Sequence, residues 1–143
     1  MIQTCADLGT TFVAFSPVGR SLLTDKPHGL QVAQAMPFLA KNPRFTEPNL
    51  SLNIAAAAPF RALAAELGLT AAGLAIAWCL AKGDHILPIP GTRSVEHFKG
   101  LVAGSHYGLS AEELNAVEAT LPMGWVNGDR YSAAQWAGPE RYA

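Results

Sequence analysis

The hydrophobic pattern changes period several times along the chain. TFVAFSP, Thr11 to Pro17, is a β-branched and aromatic run with no polar alternation. It predicts a strand buried on both faces of a parallel sheet. ILPIP, Ile86 to Pro90, is a second apolar run, broken by two prolines, and predicts another short buried strand. Helical spacing fills the interval between them. Ile54, Ala58, Leu63 and Leu67 mark one apolar face from Ser51 onward. Pro59 either kinks that helix or sets its true start, and Gly68 ends it. Thr70 is an N-cap for a helix over Ala71 to Lys82, with Leu74, Ala77, Trp78 and Cys79 as core positions and Gly83 as the stop.

The flanks follow the same logic. Ile2 to Leu8 predicts a short helix closed by Gly9. Val95 to Ala103 is helical. Ser110 opens another helix with Glu113 three residues on, the spacing of a capping box, and Leu114, Val117 and Leu121 form its face. From VGRSLLTDKPHG to about Leu50, Pro27, Pro37, Pro43 and Pro48 predict a long irregular segment, functional or disordered. A glycine- and aromatic-rich tail containing GWVNGDRY runs from Pro122 to Ala143.

Strand, helices, strand, helix is the order of a βαβ unit, with parallel strands and a right-handed crossover. The fold class is therefore α/β. Two strands leave bare edges and bare apolar surface, so the pattern describes part of a larger architecture.

Composition narrows the function. Half of the 143 residues are hydrophobic and the net charge is -1, so nucleic acid is not expected as a partner. LAAELGLTAAGLAIAWCL has the rhythm of a helix-turn-helix reader, yet Ala71 to Leu80 offers no charge and no Asn or Gln to a phosphate or base edge. No apolar run is long enough for a membrane span. Cys5 and Cys79 make no disulfide framework, and the histidines His28, His85 and His106 have no metal-ligand spacing. A cytoplasmic location is the expectation.

The chemistry concentrates in ILPIPGTRS. A strand that stops at Gly91 and delivers Thr92, Arg93 and Ser94 to a helix N-terminus is suited to an anion. Glycine permits close approach, first-turn N–H groups point outward, and arginine supplies fixed charge.

FSPVGRSLLT, PRFTEPNLSLN, LGLTAAGLAIAWCLAKG, ILPIPGTRS and GDRY, in this order, resemble the C-terminal portion of the aldo-keto reductases, most closely the bacterial and plant branch of NADP-dependent reductases. The pair SPVGR and IPGTR, about seventy residues apart, carries the resemblance. It implies a C-terminal fragment of a (β/α)8 TIM barrel. Thr11 to Pro17 then corresponds to strand seven and Ile86 to Pro90 to strand eight, and six strands have no counterpart. Residues 1–121 would be the barrel fragment and 122–143 the tail, together one partial domain.

The same resemblance implies hydride transfer from NADPH to a small aldehyde or ketone. The family's catalytic tyrosine, lysine, aspartate and histidine come from the first half of the barrel, so no catalytic residue is assigned. Tyr107, Tyr131 and Tyr142 lie after the strands and take no such role. What carries over is the cofactor's phosphate end. Ser16, Val18, Gly19 and Arg20 match the pyrophosphate loop. Gly91, Thr92 and Arg93 match the 2′-phosphate site, where a cation favours NADP over NAD. His97, one turn on, is either a further phosphate ligand or a surface histidine. The chain departs from relatives at Ser21, where glycine is frequent, and at Lys99, Gly100 and Leu101, where Glu-Glu-Asn is common. Trp125, Tyr131 and Trp136 either line a substrate mouth or pack the tail.

Three readings follow: part of a reductase completed by a missing N-terminal half, a non-catalytic remnant, or a small nucleotide-binding module.

Overall fold

A computed structural model describes residues 1–136. The order is α1 (Ile2–Asp7), β1 (Phe12–Phe15), α2 (Leu30–Ala35), α3 (Asn49–Ala56), α4 (Ala58–Glu66), α5 (Ala71–Leu80), β2 (Ile86–Ile89), α6 (Val95–Ser105) and α7 (Ala111–Thr120), with four short 3-10 turns. β1 and β2 pair in parallel, with Phe12 opposite Ile86 and Phe15 opposite Ile89. Both strands therefore end on the same edge of the sheet, and the loops that follow them leave side by side.

Capping chemistry sets the helix starts. The Thr70, Ser94 and Ser110 hydroxyls accept from the N–H groups of Gly73, His97 and Glu113. At Ser110 the Glu113 carboxylate reaches back to complete the box. Gly9 takes the left-handed conformation after α1, at φ +62°. Pro59 sets the start of α4, whose first turn has no N–H to lose there.

One core cluster joins α4, α5 and α7 through Phe60, Ala64, Ala71, Leu74, Ala75 and Val117. α5 is buried around most of its circumference, as its uniformly apolar sequence requires. It meets α6 at very close range. A Cβ on Gly104 would lie 2.1 Å from the Gly73 carbonyl oxygen, so only glycine permits that approach.

The structure corrects three sequence expectations. The strands are not buried on both faces. Val13, Phe15, Leu87 and Ile89 are about half exposed, because the helices cover one side of the two-stranded sheet and no described helix or strand covers the other. The apolar face of α3 and α4 is Ala57, Phe60 and Ala64 rather than Ala58, which is exposed, because a new helix begins after Ala57 and resets the phase. The proline-rich stretch before Leu50 is not irregular throughout. It carries α2 and three 3-10 turns around a second cluster of Leu22, Ala33, Leu39, Phe45 and Leu50. Burying Phe45 and Leu50 there contributes about 1.5–3 kcal/mol each.

The tail returns to this second cluster. Trp125 and Val126 pack on it. Fully buried Asn53 donates to the carbonyls of Arg44 and Asn127, and its Oδ1 accepts from Asn127 N–H at 2.7 Å. A buried asparagine with its amide and carbonyl both used is a specific clasp between distant segments.

Candidate functional site

The loop after β1 has an unusual backbone. Ser16, Gly19, Arg20 and Ser21 all have positive φ, at 52°, 58°, 53° and 90°. Each of the three non-glycine residues costs on the order of 1–3 kcal/mol in that region. The surroundings hold the loop in place. Gly19 N–H donates to the Ser16 carbonyl at 3.0 Å, and Leu23 N–H to the Val18 carbonyl at 3.2 Å. Ser21 is buried; its hydroxyl accepts from His28 N–H and its carbonyl from the Thr24 hydroxyl. The φ of Ser21 explains why a glycine would be comfortable at this position.

Arg20 is fixed by aromatic stacking. Its guanidinium lies 4.5 Å from the Phe38 ring centroid and 5.2 Å from that of Tyr131. Ser16, Gly19 and Arg20 share the lining of a depression of about 140 Å³ with Arg44, Trp125 and Arg130. Val18 instead packs toward the core cluster of α4, α5 and α7.

The loop after β2 is built differently. Gly91, Thr92 and Arg93 are exposed. The Thr92 hydroxyl accepts from Ser94 N–H at 3.2 Å and fixes the approach to α6. Ser94 then caps α6 through His97 N–H. The N–H groups of Val95 and Glu96 fall in the first turn, where no intrahelical acceptor exists. Arg93 makes no hydrogen bond or ion pair with a described residue, and the His97 ring is exposed. Among the sequence-derived candidates, Ser16, Gly19 and Arg20 thus converge on one depression. Gly91, Thr92, Arg93 and His97 form a second, open group at the neighbouring strand end. None of this second group lines the depression at the end of β1.

The tyrosines are committed elsewhere. The Tyr107 hydroxyl donates to the Glu113 carboxylate at 2.7 Å, and this bond holds its pKa above the usual phenol value. Tyr131 stacks edge-to-face on Phe38 and Trp136. Its contacts bind the tail to the β1 loop, the second of the two roles open for Tyr131 and Trp136. Tyr142 lies outside the described residues.

Sequence reasoning missed Arg44 and Arg130. Both sit in motifs already singled out, PRFTEPNLSLN and GDRY. Their convergence is a tertiary fact with no local signature.

The family model for the aldo/keto reductase family matches residues 1–122. A similar curated protein is the aldo-keto reductase str7 of Strobilurus tenacellus, 28% identical over 130 residues, which cover 91% of this chain and 39% of that protein. A similar solved structure is that of the glycerol dehydrogenase AKR11B4 from Gluconobacter oxydans. It has a TM-score of 0.65 at 21% identity and is matched by all of this chain over 40% of its own. The chain therefore spans about two fifths of the length of these relatives. With the family model matching most of its length, the chain belongs to the aldo/keto reductase family.

Proposed function

We propose that this chain supplies the cofactor-phosphate end of an NADPH-dependent reductase of small aldehydes or ketones, the C-terminal part of a (β/α)8 barrel. One observation carries the reading: the two family motifs leave the sheet at the same edge, from paired residues Phe15 and Ile89. Strand C-termini of a parallel sheet are where α/β enzymes place ligands.

The residues fit a phosphorylated nucleotide. Arg93 is exposed and, among the described residues, unpaired beside the first turn of α6, where Thr92 and Ser94 have already fixed the backbone. A 2′-phosphate there would meet a fixed cation and outward N–H groups. Ser16, Gly19 and Arg20 would receive the pyrophosphate. NADPH, when bound, supplies the hydride. Of the described tyrosines, Tyr107 gives its hydroxyl hydrogen to the Glu113 carboxylate, and the Tyr131 ring is packed against Phe38, Trp136 and the arginines. A second reading of the separate chain is a nucleotide-binding module without turnover.

Calorimetric titration with NADPH and NADH tests the proposal. NADPH should bind at least about tenfold more tightly, the scale of one charge-assisted contact, and Arg93→Ala should remove that preference. Equal affinity for both nucleotides would refute it. Aldehyde-dependent NADPH oxidation by this 143-residue chain would refute the second reading.

A further inference from the structure

The helices leave one sizeable gap in their own packing. α4, α5 and α7 meet the tail around a cavity of about 130 Å³. Buried Phe60, Ala75 and Val117 line its inner part, and the indoles of Trp78 and Trp125 are walls. Glu118, with its side chain 45% exposed, stands at the mouth and is the one charged residue in the lining. Trp125 is the single residue shared with the depression at the end of β1, and none of Gly91, Thr92, Arg93 or His97 lines the cavity.

The mouth is braced. Lys82 pairs with the Glu118 carboxylate and lies 4.9 Å from the Trp78 ring centroid. Lys82 first, and Trp78 more weakly, hold the Glu118 carboxyl below its usual value, so it stands ionised at neutral pH. A carboxylate has about four lone-pair sites, so these contacts leave acceptor capacity over. Protein interiors carry few voids larger than a water molecule, because wall atoms without a partner forfeit their dispersion contacts. A gap of this size between fixed aromatic walls is therefore suited to an occupant.

The walls select its chemistry. Apolar cavities of about 150 Å³ take up benzene, so a single six-membered ring fits here. Indole faces and edges favour a flat aromatic partner. The carboxylate favours an O–H donor and repels an anion, while a cation would have to displace Lys82. We propose that this cavity binds a neutral monocyclic phenol, its ring against Trp78 and Trp125 and its hydroxyl donating to the Glu118 carboxylate. The site is separate from the cofactor reading above and does not depend on it.

Fluorine NMR of 4-fluorophenol and 4-fluorotoluene, each titrated with the 143-residue chain, tests the proposal. 4-Fluorophenol should bind with a Kd of about 1 mM or tighter, a modest efficiency for so small a ligand. 4-Fluorotoluene should bind several-fold more weakly. Glu118→Ala should bring 4-fluorophenol down to the level of 4-fluorotoluene and leave the latter unchanged. Ala75→Leu fills the cavity from its buried wall, and Leu121→Phe fills it from its partly buried rim. Each should weaken both ligands about tenfold or more. Circular dichroism and a thermal melt show which variants keep the fold, and either filling variant that folds decides the point. Leu87→Lys, on the bare sheet face, should change nothing; loss of binding there would move the ligand to that face and overturn the proposal. It is also overturned if the folded chain binds neither ligand, if a folded filling variant binds both as before, or if Glu118→Ala leaves the ratio of the two affinities unchanged.

Discussion

The side-chain amide of Asn42 donates to the backbone carbonyl of Arg130 at 2.7 Å, across 88 positions of sequence. With Asn53, it ties the tail to the segment that follows β1. Both asparagines are fully buried.

Asn53→Ala should therefore destabilise the chain by about 1–3 kcal/mol, since it leaves the Asn127 N–H and two carbonyls without their partner. Urea denaturation measures the loss. Limited proteolysis should show faster cleavage after Pro122. An unchanged midpoint would mean that the tail is not part of the cooperative unit.

The contact between α5 and α6 gives a sharper case. Gly104→Ala places a methyl group 2.1 Å from the Gly73 carbonyl oxygen, which is backbone and cannot swing aside. The cost should reach the upper end of overpacking, about 3 kcal/mol, or roughly 6–12 °C in Tm for a chain of this size. Gly108→Ala, which meets nothing within 4 Å, should leave the melt within a degree or two.

The Tyr107–Glu113 pair sets a pH response. The Ser110 backbone N–H, then the Tyr107 hydroxyl, hold the Glu113 carboxyl below its usual value of 4.5. A depressed carboxyl stabilises the fold above its unfolded pKa, and that contribution is lost as pH falls from about 4.5 through the folded value. The raised phenol acts in the opposite sense: its contribution is present below the ordinary phenol value of 10.0 and lost as pH rises through the folded pKa. Tyr107→Phe should move the Glu113 titration, followed by carboxyl NMR shifts, back toward 4.5 without abolishing the whole depression.

The bare sheet face predicts association. Val13, Phe15, Leu87 and Ile89 lie half exposed on one face of the sheet, next to strand edges that are unpaired among the described residues. The chain should bind ANS and sediment as more than a monomer. Leu87→Lys should reduce both signals. Sedimentation as a pure monomer without ANS binding would show that some other contact covers this face.

What the sequence revealed depended on distance along the chain. Thr70, Ser94 and Ser110 were legible as caps because a cap is satisfied within three residues. β2 ended where Pro90 and Gly91 said it should. The burial of β1 was misjudged because an apolar run reports what a strand is suited to, while exposure depends on what else is present. The segment before Leu50 looked irregular because its order comes from Leu22, Leu39 and Phe45 meeting in a cluster, not from periodicity. Of the site, the two motif loops were readable locally. Arg44 and Arg130 were not, since they converge only where Asn42 and Gly128 bring the tail back.

If Arg20 serves the proposed cofactor site, its left-handed backbone sets stability and recognition against each other. A glycine there would relax the loop and leave the chain more robust, while removing a cation from the depression. A library of variants at position 20 selected only for heat resistance should drift toward glycine. One selected for retention on an anionic nucleotide matrix should keep arginine. The same residue would give opposite answers under the two selections, which makes position 20 a direct reporter of what the loop is for.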